Sequence, residues 1–289
     1  MIRLLVSLLS LFILPHFASF NLVHKPHNVP CSQLIVFGDD FTDDGIEFGT
    51  YSHGFVRNSN GPVWPEYLNR MLECDEYINY AYSGAKSGYD NMFFSDWSGI
   101  LWQIEYHFMS QRTVRKDSLI ILQIGGLPEL MSRQKIINGS INTNKIIENI
   151  AQAALGLIST IDNGMTADGN CIIILMNMID PNEAPGYEML AARGNHDVDV
   201  SSVISRINSK LRKLMISEGR ENQQVGVFDL NAATVDATRG LNTNEPFTYR
   251  QDNMTSLKAF DYAYYNQWYP STLVHHKIAR KLVRFLEDL

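Results

Sequence analysis

The sequence predicts an α/β fold, a five-stranded parallel sheet flanked by helices in a three-layer sandwich. Two observations carry that expectation. Five short apolar runs alternate along the 289 residues with longer segments of helical period, the pattern of strands buried on both faces and covered by the helices that connect them. No internal repeat, low-complexity tract or linker divides the chain, and its length suits one large domain with a sizeable core.

The strands are expected at QLIVF (Gln33–Phe37), YINYA (Tyr77–Ala81), SLIILQI (Ser118–Ile124), CIIILM (Cys171–Met176) and VGVFD (Val225–Asp229). Between them, VWPEYLNRML and ILWQIEYHF read as helices. Asn144–Ile161 is the clearest helix, because Ile147, Ile150, Ala151, Ala154, Leu157, Ile158 and Ile161 recur every three or four residues. Val203–Ile216 and Leu273–Leu286 repeat the pattern. These stripes are expected to pack into the core. Asp162–Asn170 reads as a helix-to-strand connection, and Asp180–Asp199, with Pro181, Pro185 and Gly194, as an irregular rim.

The N-terminus stands apart. Arg3 precedes the apolar run LLVSLLSLFIL, which is too short to span a bilayer comfortably, and small residues follow around Ala18 and Ser19. Residues 1–19 are therefore expected to be a signal peptide, the fold to occupy 32–289, and the protein to be secreted. No later segment is long and apolar enough to be transmembrane. The sequons at Asn138 (NGS) and Asn253 (NMT) are candidate glycosylation sites consistent with that route. A net charge of −7 without a Lys/Arg cluster excludes a nucleic-acid surface. Cys31, Cys74 and Cys171 form neither a disulfide framework nor a metal spacing, and their pairing is left open; Cys171 reads as a buried thiol.

In such sheets the ligand crevice lies beyond the C-terminal strand ends, at the point where strand order reverses. Three turns fall there: Gly38–Asp40, Ser83–Gly84 and Gly125–Leu127. The first belongs to VFGDDFTDDG (Val36–Gly45), which has the shape of a turn carrying a catalytic nucleophile.

That stretch resembles the first motif of the GDSL (SGNH) ester hydrolases, F-G-D-S-L-S-D-x-G. Four further blocks match in order: SNGPVWPEYL (Ser59–Leu68), INYAYSGA (Ile78–Ala85), LQIGGLPEL (Leu122–Leu130) and YYNQWYPSTLVHHKIA (Tyr264–Ala279). The resemblance implies a flavodoxin-like SGNH-hydrolase fold, a carboxylic ester hydrolase (lipase, acylhydrolase) ancestry and no cofactor or metal. It also implies which residues should react. The nucleophilic serine corresponds to Asp40, the oxyanion-hole Asn to Leu127, the triad Asp to Asn266 and the triad His to Tyr269. Gly84 is the oxyanion-hole remnant, while Gly38, Gly45, Gly61, Trp64 and Pro270 persist at fold-bearing positions.

Those substitutions remove the chemistry. Acyl transfer of this kind needs a hydroxyl whose proton passes to an imidazole. Asp40 has no hydroxyl and its charge sits where an oxyanion must develop. Tyr269 keeps its proton to about pH 10 and is no base. Leu127 offers no donor, and one lost oxyanion-hole donor costs about 10²–10³ in rate. Pro128 further removes a backbone N–H at that turn. The expected function is therefore a pseudoenzyme: a secreted esterase-like protein retaining a crevice, lined by Asp39, Asp40, Ser83, Gly84, Gly126, Leu127, Trp268 and Tyr269, for a lipid, glycan or protein partner. The alternative is an active hydrolase of ester bonds with a non-standard residue set.

Other readings are weaker. Asp40 as a nucleophile toward saturated carbon needs a base, and His53, His275 and His276 do not fall at the expected position. Asp39, Asp40, Asp43 and Asp44 as a cation site lack EF-hand spacing, and Asp43 or Asp44 reads more simply as a helix N-terminal carboxylate. Ser83 has no base in view. The aromatic run Tyr262, Tyr264, Tyr265, Trp268 and Tyr269 reads as packing in preference to a sugar-stacking platform.

Overall fold

The computed structural model describes residues 29–45, 54–109, 114–123, 128, 130, 142–160, 171–187, 200–218, 223–249 and 260–289. The N-terminal segment, His53, Gly126, Leu127 and both sequons lie outside these residues.

Five parallel strands form the sheet: β1 Gln33–Phe37, β2 Tyr77–Asn79, β3 Ser118–Gln123, β4 Cys171–Met176 and β5 Gln223–Phe228. Their order is β2-β1-β3-β4-β5, so the order reverses between β1 and β3, which pair from Gln33↔Ser118 to Phe37↔Leu122. The crevice rule therefore points to the ends of β1 and β3. β2 stops at Asn79, two residues short of the expected end. Beyond it the Asn79 side chain turns to the first motif, donating to the Thr42 carbonyl at 2.8 Å.

The helices are α1 Trp64–Leu72, α2 Ile100–Trp102, α3 Thr143–Thr160, α4 Val200–Glu218, α5 Leu230–Thr238 and α6 Thr272–Glu287. Alternating strand residues divide the core into two layers. Ile35, Phe37, Ile120, Leu122, Ile173 and Leu175 pack with α2, α3 and α4. Leu34, Val36, Leu119, Ile121, Ile174 and Met176 pack with α1, α5 and α6 on the opposite face. This gives three layers, and it explains why each strand reads as a continuous apolar run with no alternation.

Two helical segments depart from expectation. The 100–108 segment is α-helical only at its start and continues as a π-helix over Gln103–Phe108. α5 was not expected at all. Its inward residues are Leu230, Ala233, Thr234, Ala237 and Thr238, so alanine and threonine stand where a larger apolar stripe would have signalled a helix; Asp229 caps it by accepting from Ala232 N–H at 3.0 Å. The rim segment contains a 3₁₀ turn at Pro181–Glu183. Cys31, just before β1, is disulfide-bonded to Cys74, just after α1, and Cys171 is buried and free. Among the described residues, no helix is long and apolar enough to cross a membrane.

Candidate functional site

The turn after β1 is fixed by buried hydrogen bonds. Gly38 meets Gln123 and Thr42 so closely that a Cβ would lie 2.6 Å from Gln123 Oε1, so no larger side chain fits without a shift. Gln103, the first π-helical residue, accepts from Gly38 N–H at 3.1 Å and donates to the Gly38 carbonyl at 2.9 Å. Gln123, the last residue of β3, accepts from Asp39 N–H at 3.0 Å. The π-helix thus has a local purpose: it presents an amide that matches both backbone groups of one glycine.

Asp43 braces the surrounding loops. Its carboxylate accepts from the N–H groups of Gly45, Phe55, Val56 and Ser83, at 2.8, 2.9, 3.3 and 2.7 Å. Gly45 has φ +79°, which breaks any helix opening at Asp43 or Asp44, so the expectation of a helix N-terminal carboxylate is corrected. Asp44 instead accepts from the Tyr77 phenol at 2.7 Å.

Asp40 stands just beyond the C-terminal end of β1, where the crevice rule places a ligand site. Oδ2 accepts from Gly84 N–H at 2.8 Å and Oδ1 from the Asn58 amide at 3.1 Å. Burial pushes its carboxyl up from the ordinary value, against the pull of these donors. The nearby Tyr269 phenol draws it downward as well. Each of these partners donates, so the ionised form is the one they satisfy. Gly84 itself is held at φ +81°, where glycine is favoured, and a Cβ there would sit 2.7 Å from Asn91 Oδ1.

Asp39 has fewer partners. It is 1% exposed; one oxygen accepts from Phe41 N–H at 3.0 Å and the other has no partner. Burial, then the neighbouring Asp40 charge, hold its carboxyl well above the ordinary range. Of the two adjacent acids, Asp39 is the one held further toward its protonated form.

The closing segment supplies Tyr269 and no base. Burial and the charges of Asp40 and Asp39 raise the phenol well above its ordinary value, so it acts as a donor. Asn266 Oδ1 accepts from Trp268 and Tyr269 N–H at 2.9 and 2.8 Å, closing a local turn. Trp268 lies against Gly186, whose N–H donates to the Gln267 carbonyl at 2.8 Å. Tyr262, Tyr264 and Tyr269 are buried, so these rings form no open stacking platform.

Ser83 Oγ donates to the Val56 carbonyl at 2.9 Å and accepts from Asn58 at 3.1 Å. Pro128 is buried. His275 is fully buried; its Nδ1 accepts from Trp64 N–H at 3.3 Å, its ring lies 4.8 Å from Phe41, and burial lowers its pKa to about 3. His276 is half-buried beside Tyr67. Neither imidazole is hydrogen-bonded to a hydroxyl at the crevice.

Sequence reasoning did not single out Asn58, Gln103, Gln123 or Asn91, all of which hold this site. Asn91 donates to the Ser83 carbonyl at 2.7 Å and accepts from Phe93 N–H at 3.0 Å. Its neighbours form an apolar rim: Met92 N–H donates to the Gly84 carbonyl, while Phe93, Phe94 and Val56 are exposed, Phe93 by 74%.

No family model matches the sequence, and no curated protein does. Solved structures do match. An aryl esterase from M. smegmatis superimposes with a TM-score of 0.53 at 12% identity, covering 90% of this chain and 100% of its own. Est24, a carbohydrate acetylesterase from Sinorhizobium meliloti, gives 0.55 at 12%, covering 89% and 98%. A GDSL-like protein from Parabacteroides merdae gives 0.53 at 10%, covering 91% and 99%.

The chain has the fold of the SGNH hydrolases. Identities this low establish the fold and leave the activity to the site.

Proposed function

We propose that this is a secreted GDSL/SGNH esterase-like protein that does not hydrolyse esters and uses its crevice to bind. The observation that carries the reading is the 2.8 Å bond from Gly84 N–H to Asp40. The donor that would stabilise a developing oxyanion already serves a fixed negative charge, and a second anion beside it is disfavoured by several kcal/mol at low effective dielectric (roughly 4 at 4 Å). Tyr269, at the base position, keeps its proton, because burial and the Asp40 charge raise its phenol well above the ordinary value. The names of the similar structures indicate the esters to try: aryl and carbohydrate acetyl esters. Protein collected from the medium of expressing cells, lacking residues 1–19, should turn over neither p-nitrophenyl acetate nor acetylated sugars above a heat-killed control. Turnover that disappears in Asp40→Ala would defeat this reading, and retention inside cells with residues 1–19 attached would defeat secretion.

Among lipid, glycan and protein partners, the rim supports a lipid. Phe93, Phe94, Met92 and Val56 carry no hydrogen-bonding group. Trp97, which a sugar would need for stacking, is packed against Phe55, Tyr82, Phe94 and Trp102 at 5.2, 5.4, 5.3 and 5.9 Å. Exposed Asp90 and Asp96 beside the tip and the net charge of −7 disfavour an anionic surface. The protein should therefore co-sediment with phosphatidylcholine vesicles, and Phe93→Asp with Phe94→Asp should abolish it. Vesicle-independent behaviour of the wild-type protein would sink the lipid assignment.

A further inference from the structure

We infer that the groups around Asp40 form a carboxylate-binding nest whose occupant in this protein is the Asp40 side chain itself. The inference deepens the reading of the crevice given above and rests on it. It follows from how the donors converge. Gly84 N–H reaches Oδ2 at 2.8 Å and Asn58 Nδ2 reaches Oδ1 at 3.1 Å, so each oxygen has its own donor. The Tyr269 phenol favours the ionised carboxylate as well. A planar acceptor with two oxygens is what such a set recognises.

The donors do not depend on Asp40 for their placement. Gly84 is positioned by Asn91, through the 2.7 Å bond to the preceding carbonyl, and by the Met92 N–H on its own carbonyl. Asn58 is also bonded to Ser83 Oγ at 3.1 Å, which is fixed in turn on the Val56 carbonyl. The Tyr269 backbone is held by Asn266. Removing the Asp40 carboxylate therefore vacates a pre-organised site of carboxylate size. In the wild-type chain the tethered carboxylate competes at a very high effective concentration, so free carboxylates are excluded.

The probe is acetate, with chloride at equal ionic strength as the reference. In Asp40→Ala, acetate raises the melting temperature in a saturable manner and chloride does not; the wild-type protein responds to neither. Adding Asn58→Ala to Asp40→Ala weakens apparent acetate affinity about tenfold, the value of one hydrogen bond to a charged group. Asp40→Asn, which refills the nest with an amide, shows no acetate response. A cooperatively folded Asp40→Ala protein that treats acetate and chloride alike overturns the inference.

A second measurement covers the case in which Asp40→Ala does not fold. In the otherwise unaltered chain, Asn58→Ala or Tyr269→Phe should move the Asp40 carboxyl titration upward, read from its side-chain carbon resonance. An unmoved titration in both variants also overturns the nest. Ester turnover is measured on the same samples. Acetate binding without turnover supports nest and non-catalytic crevice together, whereas wild-type turnover with acetate binding in Asp40→Ala rejects only the latter.

Discussion

The turn after β1 and the segment before α6 bring Asp40 and Tyr269 together, and they use their polar groups in different ways. At the β1 turn the surrounding donors are aimed at one point, and the Asp40 carboxylate fills that point. In the closing segment the side chains serve the backbone and the core: Asn266 closes its own turn and Tyr269 is buried. One turn thus gathers donors around a charge, while the other directs its polar groups to its own backbone. The frame on the β1 side is built from backbone groups and buried amides. Those bonds are needed for the fold whatever residue occupies position 40.

The contrast can be broken most forcefully at Asp43. Asp43→Ala strips the acceptor from four N–H groups on three separate pieces of chain, and leaves several of them buried without a partner. A loss of about 3–5 kcal/mol is expected in urea denaturation. On the other side, Asn266→Ala removes the acceptor for two adjacent N–H groups in a half-buried turn and should cost about 1–2 kcal/mol. Asn266→Asp keeps that oxygen and should cost little. If Asn266→Ala proves as damaging as Asp43→Ala, the closing segment is as much a frame as the β1 turn and the distinction fails.

Legibility in the sequence follows the same division. The strands could be read because a parallel sheet buried on both faces demands unbroken runs such as LIVF and IIIL. α3 and α6 could be read because their apolar spacing is regular. α5 could not, since its inward face is mostly alanine and threonine. Within the site, Asp40, Asn266 and Tyr269 were visible as departures from a local motif. Asn58 and Gln103 were not. Asn58 lies 18 residues from Asp40, and Gln103 lies 65 residues from Gly38. No spacing announces a contact that only the tertiary fold creates, and the π-helix that aims Gln103 has no periodic signature in a six-residue segment. Likewise the sequence left open which cysteines pair, since the proximity of Cys31 to Cys74 depends on α1 packing back beside β1.

The smallest effect separates the two adjacent acids from each other. Asp39 is held well above its ordinary value of 3.8 by burial and by the Asp40 charge. The folded state therefore keeps a proton that the unfolded chain releases. Between 3.8 and the raised folded value, more protons are bound in the folded state, so stability falls as pH rises and grows as pH drops. Buried His275, lowered to about 3, acts in the opposite sense: below about pH 6.5 the unfolded chain takes up a proton that the folded state refuses. That opposing slope is shared by wild-type and Asp39→Asn proteins and cancels in their difference. Asp39→Asn, which cannot titrate, should lose stability relative to wild type as the pH is lowered from 7 to 5, measured from urea midpoints at the two values. Parallel behaviour of the two proteins would mean that Asp39 is not the protonated partner. The charge in the nest would then be shared between the acids, and the fixed anion on Gly84 would lose its physical basis.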